Sequence, residues 1–215
     1  MRHHTMSFAL VACSLLVAAC AGADDAGQAE ATGESEAMGT VGSSGLSCHL
    51  AGATPEEAAQ RPSPLEETPF TFEGGQGLLC YGAPSARGRR IMGDLVPYGE
   101  PWRAGANEAT AIHLTAPARV GGVALEAGSY SLYTVPNESE WEFIVNPSWE
   151  RWGIPIDAEV RLTEIGSFRA TPAVTDGVVE TLTYTFVPNA DGTGGEIVME
   201  WESARLSFPV EGGGM

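Results

Sequence analysis

No lysine occurs anywhere in the 215 residues, so all 11 cationic side chains are arginines. Schiff-base chemistry, lysine nucleophiles and phosphate loops of the Gly-Lys-Ser type are thereby excluded. Against those arginines stand 28 aspartates and glutamates, for a formal net charge of -17. An acidic excess of that size argues against generic attraction to nucleic acid or to an anionic membrane surface. Cysteine and histidine number four each, too few and too scattered for a zinc signature. No cofactor motif is present, and none is expected to be bound. Apolar runs are also short: the longest, Phe8 to Ala19, falls below the roughly 20 residues a spanning helix needs.

That run follows the single charge of Arg2 and ends in small residues, the layout of a secretory signal over residues 1–19. Val17-Ala18-Ala19-Cys20 resembles the lipobox of bacterial lipoproteins, which implies lipidation of Cys20 and a membrane partner reached through that anchor. Ala21, in the place of an aspartate, resembles the outer-membrane sorting pattern. The expected address is therefore the bacterial cell envelope, at the outer membrane. Residues 20–47 are mostly Ala, Gly, Ser, Thr and acid with no basic residue, a composition that buries too little apolar surface to offset the entropy of ordering. They read as an acidic flexible linker.

Of the four cysteines, Cys13 falls in the signal and Cys20 in the lipobox, leaving Cys48 and Cys80 in a compartment that permits disulfides. A bridge between them would pin an N-terminal segment, 48–63, to the main domain; two separate thiols are the alternative. Within that segment Thr54-Pro55-Glu56-Glu57 offers an N-cap, a proline at the first helical position and the glutamate of a capping box, so one short helix is expected.

From Phe70 onward the pattern has period two. Thr110, Ile112 and Leu114, then Trp141, Phe143 and Val145, then Leu182, Tyr184 and Phe186, then Ile197, Met199 and Trp201, then Leu206, Phe208 and Val210 each mark the apolar face of a half-buried strand. Turn signals separate them at Gly121-Gly122, Ala127-Gly128, Pro136-Asn137, Asp176-Gly177 and Asp191-Gly192. The expected fold is all-β, an antiparallel β-sandwich or jelly-roll-like domain over residues 64–211.

Arginine is concentrated in one place. Arg87, Arg89, Arg90 and Arg103 share a glycine-bent stretch with Tyr81, Tyr98, Trp102, Asn107 and Glu108. Planar donors beside aromatic faces suit an anionic or glycan ligand. Equally, Arg103 with Glu108, or Arg90 with Asp94, would lock an irregular loop against a sheet. Catalysis has thin material: Ser85 lacks a nucleophile elbow, and His113, on the polar face of its strand, is expected to be solvated. A hydrolase built from Ser85, His113 and an acid such as Glu108 is the alternative to binding, and a structural envelope module is the third. For metal, Asn189, Asp191, Thr193 and Glu200 fall at the oxygen positions of a calcium loop, but the same residues also read as a polar hairpin turn.

Three longer motifs carry a resemblance: "YGAPSARGRRIMGDLVPYGEPWRAGANEAT" (81–110), "AGSYSLYTVPNESEWEFIVN" (127–146) and "EWESARLSFPV" (200–210). Together they resemble the bacterial family catalogued as domain of unknown function 2911, across the whole folded part. The resemblance implies an exported β-domain and assigns no chemistry. The chain departs from the family pattern after Trp152, where "GIPIDAEV" replaces the usual tyrosine-containing stretch.

Overall fold

The computed structural model describes residues 45–213. The expected signal peptide, the Cys20 lipidation site and the linker up to residue 44 lie outside the described residues. Among those described, no helix is long and apolar enough to cross a membrane.

Ten strands form two antiparallel sheets. In chain order they are β1 (Leu65–Phe72), β2 (Gly75–Gly82), β3 (Ala106–Leu114), β4 (Ala118–Val120), β5 (Val123–Leu125), β6 (Gly128–Val135), β7 (Trp141–Asn146), β8 (Gly166–Ala170), β9 (Ala173–Pro188) and β10 (Gly194–Gly212). The larger sheet has the order β1-β2-β3-β6-β7-β8, the smaller β5-β4-β10-β9. The all-β sandwich expected from the alternation is what forms. Its register follows side-chain size: Phe70 lies opposite Gly77 and Phe72 opposite Gly75. A side chain on Gly77 would run into the Phe70 ring, so glycine there leaves the space the ring fills.

The core lies between the sheets, where the period-two residues meet. Leu79, Ile112, Leu132, Trp141 and Phe143 of the large sheet face Leu182, Ile197, Met199, Trp201 and Phe208 of the small one, all of them buried. Phe143 stacks on Phe168 at 5.3 Å between ring centroids, and Phe208 tilts against both. Each such aromatic contributes roughly 1.5–3 kcal/mol through removal from water.

Two features of the alternation needed correction. The strands around Ile197 and Leu206 are one continuous element, β10, bent where its register to β9 shifts on either side of Glu202. Glu202 itself has a left-handed backbone, φ 54°, as a bulged residue can. The Asp176-Gly177 turn signal falls inside β9, in the stretch between Val174 and Val179 that bulges out of the ladder. A turn dipeptide here serves a bulge instead of a chain reversal.

The outer face of the large sheet is also covered. Leu78, Cys80, Ala111, His113, Ser131, Tyr133, Ile144 and Asn146 are all buried, and the register aligns Leu78 with His113, His113 with Ser129, and Ser131 with Asn146. Two segments supply the cover. The N-terminal segment carries helix α1 (Pro55–Ala59), whose Thr54 capping box forms as expected, and it is fastened by a Cys48–Cys80 disulfide. The β7–β8 connection carries the single helical turn α2 (Ala158–Arg161), capped by Asp157. Asn146 donates to Val160 O at 2.7 Å and Tyr133 to Glu164 Oε1 at 2.6 Å, tying that connection to the sheet.

Candidate functional site

The arginine-rich loop between β2 and β3 crosses from one sheet to the other, and its backbone is bonded to both. Ala86 N and Leu182 N exchange bonds with Glu180 O and Pro84 O at 2.7 and 2.9 Å, and Trp102 pairs with Thr134 in both directions. Carboxylates of the small sheet catch the rest: Glu180 accepts from Arg87 N at 2.7 Å, and Glu202 accepts from Ile91 N and Met92 N at 3.2 and 3.3 Å. The guanidinium groups are turned back onto the chain. Arg87 donates to Pro62 O, Arg89 to Ala86 O and Ser85 O, and Arg103 to Gly105 O. Arg90 stays exposed.

The aromatic members of the cluster are largely spent on packing. Trp102 is half-buried, stacked at 5.8 Å on Trp201 and edge-on to Trp141 at 6.1 Å. Tyr81 is buried, its hydroxyl accepting from Tyr184 N, and burial raises its pKa. Tyr98 borders a small hollow of about 170 Å³ with Trp141 and Val174. The loop that carries them is firmly held by its bonds to both sheets.

Glu108 pairs with Arg61 and not with Arg103, which corrects the expected lock. Arg61 Nη1 donates to both carboxylate oxygens at 2.8 Å, and its guanidinium lies 5.9 Å from the centre of the Trp152 ring. The geometry depends on a β-bulge at the start of β3. The register slips between Cys80 and Gly82, with Asn107 left-handed at φ 64°, a conformation asparagine tolerates. Asn107 Nδ2 then bonds Ser63 O, and its carbonyl accepts from Gly153 N. A side chain at Gly153 would collide with Arg103 Cδ, so this glycine lets the β7–β8 connection lie against β3.

His113 is buried, 2% exposed, and not solvated as expected. Its face of β3 lies under the cover, where Trp149 stands edge-on at 4.9 Å, with His49 also edge-on to that indole at 6.2 Å. Nδ1 is 2.7 Å from Ser129 Oγ, whereas Nε2 has no partner. Ser85 bonds Thr181 instead. Ser85 and His113 thus answer to different partners, and the geometry does not pair these two as nucleophile and base. Burial depresses the pKa of His113. A base with a depressed folded value contributes stability that is full above its unfolded pKa of about 6.5 and is lost as the pH falls through the folded value. The denaturant midpoint should therefore drop from pH 8 to pH 5, and His113→Phe should flatten that slope; an unchanged slope would refute the assignment.

Asn189, Asp191 and Thr193, which with Glu200 read either as a calcium loop or as a polar hairpin turn, lie where β9 reverses into β10. Asp191 Oδ1 accepts from Thr193 N and Oγ1 at 3.1 and 2.7 Å, Asn189 Nδ2 lies 3.4 Å from Thr193 Oγ1, and Glu200 on β10 pairs with Arg205 at 2.6 Å. This is a polar hairpin turn. Among the described residues no group of three or more His, Cys, Asp or Glu side chains is placed to hold a metal.

A larger hollow, about 470 Å³, opens on the outer side of the large sheet, in the β7–β8 connection. Arg151 and Trp152 line it with Asp157, Glu159, Val160 and Thr163. Trp152 is 45% exposed and Ile154 54%; the Ile154–Pro155 peptide is cis. Arg151 is half-buried, donates to Ser148 O and Trp152 O at 3.1 and 3.0 Å, and has its pKa lowered by burial. Strand periodicity misses these residues because they lie in no strand. The available signal was "WERW", two tryptophans and an arginine ahead of a Gly-Ile-Pro stretch.

Two antiparallel sheets, a disulfide-fastened cover and a hollow set within that cover define an all-β module. The chain belongs to the family described as Protein of unknown function (DUF2911), whose model matches residues 63–210. No curated protein and no solved structure shows significant similarity to it.

Proposed function

We propose that this chain is a lipid-anchored protein of the bacterial cell envelope, tethered through Cys20 at the outer membrane, whose β-domain binds a small polar ligand or a sugar unit of a glycan. The site is the hollow beside Trp152, which Glu108 of the sequence-derived cluster supports through its pair with Arg61. One observation carries this reading. A nearly half-exposed indole and a half-buried, oriented guanidinium line the same 470 Å³ hollow, a size and lining typical of small-molecule sites. The arginine loop serves as the clamp between the sheets.

In a titration of the full chain with oligosaccharides, peptidoglycan fragments and small acids, followed by amide NMR shifts, ligand-dependent changes are expected at residues 148–163. Trp152→Ala should weaken binding about tenfold, the loss of an aromatic stacking contact. Binding that maps elsewhere, or that ignores Trp152→Ala, would overturn the reading.

A further inference from the structure

We infer that the hollow takes a zwitterion: a molecule of amino-acid or dipeptide size whose carboxylate meets Arg151, whose ammonium faces Asp157 and Glu159, and whose apolar part rests on Trp152. This rests on the hollow being a ligand site.

Arg151 is the first reason. Its two backbone bonds, to Ser148 O and Trp152 O, use Nε and Nη1 and fix the plane of the guanidinium. Nη2 remains. Among the described residues the arginines that form ion pairs are Arg61, Arg161, Arg169 and Arg205, so Arg151 has no carboxylate at bonding distance. Nor is Nη2 sealed, because His113 Nε2 is the buried side-chain nitrogen or oxygen left without a partner among the described residues. Burial lowers the pKa of Arg151 even though the charge of Asp157 acts to raise it. A cation stripped of part of its water and held in a set orientation is completed by a ligand carboxylate, through charge-assisted hydrogen bonds.

The opposite charge in the same lining decides the class. Asp157 spends Oδ1 on Glu159 N and Val160 N, both at 3.1 Å, which leaves Oδ2 for another donor. Glu159 is exposed and also lines the hollow. A simple anion at Arg151 would stand against these two acids, and a simple cation would meet Arg151. A neutral sugar leaves both charges unmatched. A zwitterion satisfies both charges, while Trp152, Ile154 and Val160 offer its side chain apolar surface.

The test uses the full chain with four probes: leucine, N-acetylleucine, leucine amide and maltose, read by calorimetry and by amide NMR shifts at residues 148–163. Leucine is expected to bind at least tenfold more tightly than either blocked derivative. Arg151→Ala should weaken leucine at least tenfold and leave leucine amide unchanged. Since Arg151 also orients its own loop, Glu159→Gln gives a second reading from an exposed position: it should weaken leucine and spare N-acetylleucine. Equal binding of leucine and a blocked derivative overturns the inference. Binding of maltose without leucine also overturns it but leaves the ligand-site reading standing. If no probe shifts residues 148–163 and Trp152→Ala is silent across the wider panel, both fall.

Discussion

Removing the Cys48–Cys80 bridge, by Cys48→Ser with Cys80→Ser, is expected to lower the stability of the folded domain by roughly 3–4 kcal/mol, the chain-entropy value for a closed loop of about 33 residues. The loss should show as a lower midpoint of urea unfolding. It should also be unevenly felt. The bridge fastens the N-terminal segment to Cys80 on the outer face of the large sheet, and that segment reaches the β7–β8 connection twice, through His49 on Trp149 and through Arg61 on Trp152. Amide exchange should therefore quicken most at residues 48–63 and 147–165, and less in the inter-sheet core around Phe143 and Phe208. Uniform quickening, or a midpoint unmoved by reduction, would show that the cover is held by packing alone.

The inter-sheet core was legible because one physical cause produced it. A strand with one buried face alternates by necessity, and Trp141, Phe143, Leu182, Tyr184, Leu206 and Phe208 all sit inside as that pattern requires. The second buried face was not legible from alternation. In β3 every second residue, Thr110, Ile112 and Leu114, points to the core, but Ala109, Ala111 and His113 are buried as well. Small residues and one histidine look polar-facing in a period-two count, although alanine is what allows a cover to sit close to a sheet. The site suffered for the same reason. Clustered arginine is visible in a string of letters, but the carbonyls that Arg87, Arg89 and Arg103 satisfy belong to backbone, and backbone acceptors carry no sequence signal. The partner of Glu108 lies at Arg61, 47 positions away, brought there by the segment that the disulfide fastens. Long-range placement of that sort is set by how the cover packs, and local spacing does not encode it.

Replacing Glu108 by alanine is expected to cost about 3 kcal/mol, at the lower end of the range for breaking a buried ion pair. The carboxylate side chain is 5% exposed and the arginine side chain 21%, so the stranded guanidinium regains some water, which is why the upper end is not expected. The cost comes from the cation left behind more than from the attraction lost. For that reason Arg61→Met with Glu108→Leu, which removes both charges and keeps the volume, should restore stability to within about 1 kcal/mol of the parent. Glu108→Gln, retaining acceptor and shape without the charge, should fall between. In urea unfolding all four proteins should share one slope and differ in midpoint, the mark of a change in stability at constant exposed area. The pair also holds Trp152 beneath the Arg61 guanidinium, so the alanine variant should bind ligand more weakly although Glu108 is not needed to touch it. The paired apolar replacement separates the two effects: stability would return, but binding would stay weakened, because methionine gives the indole a surface without the cation that positions it. If the double replacement were as unstable as Glu108→Ala, the ion pair would be holding the cover through its charge, and not merely avoiding an unpaired one.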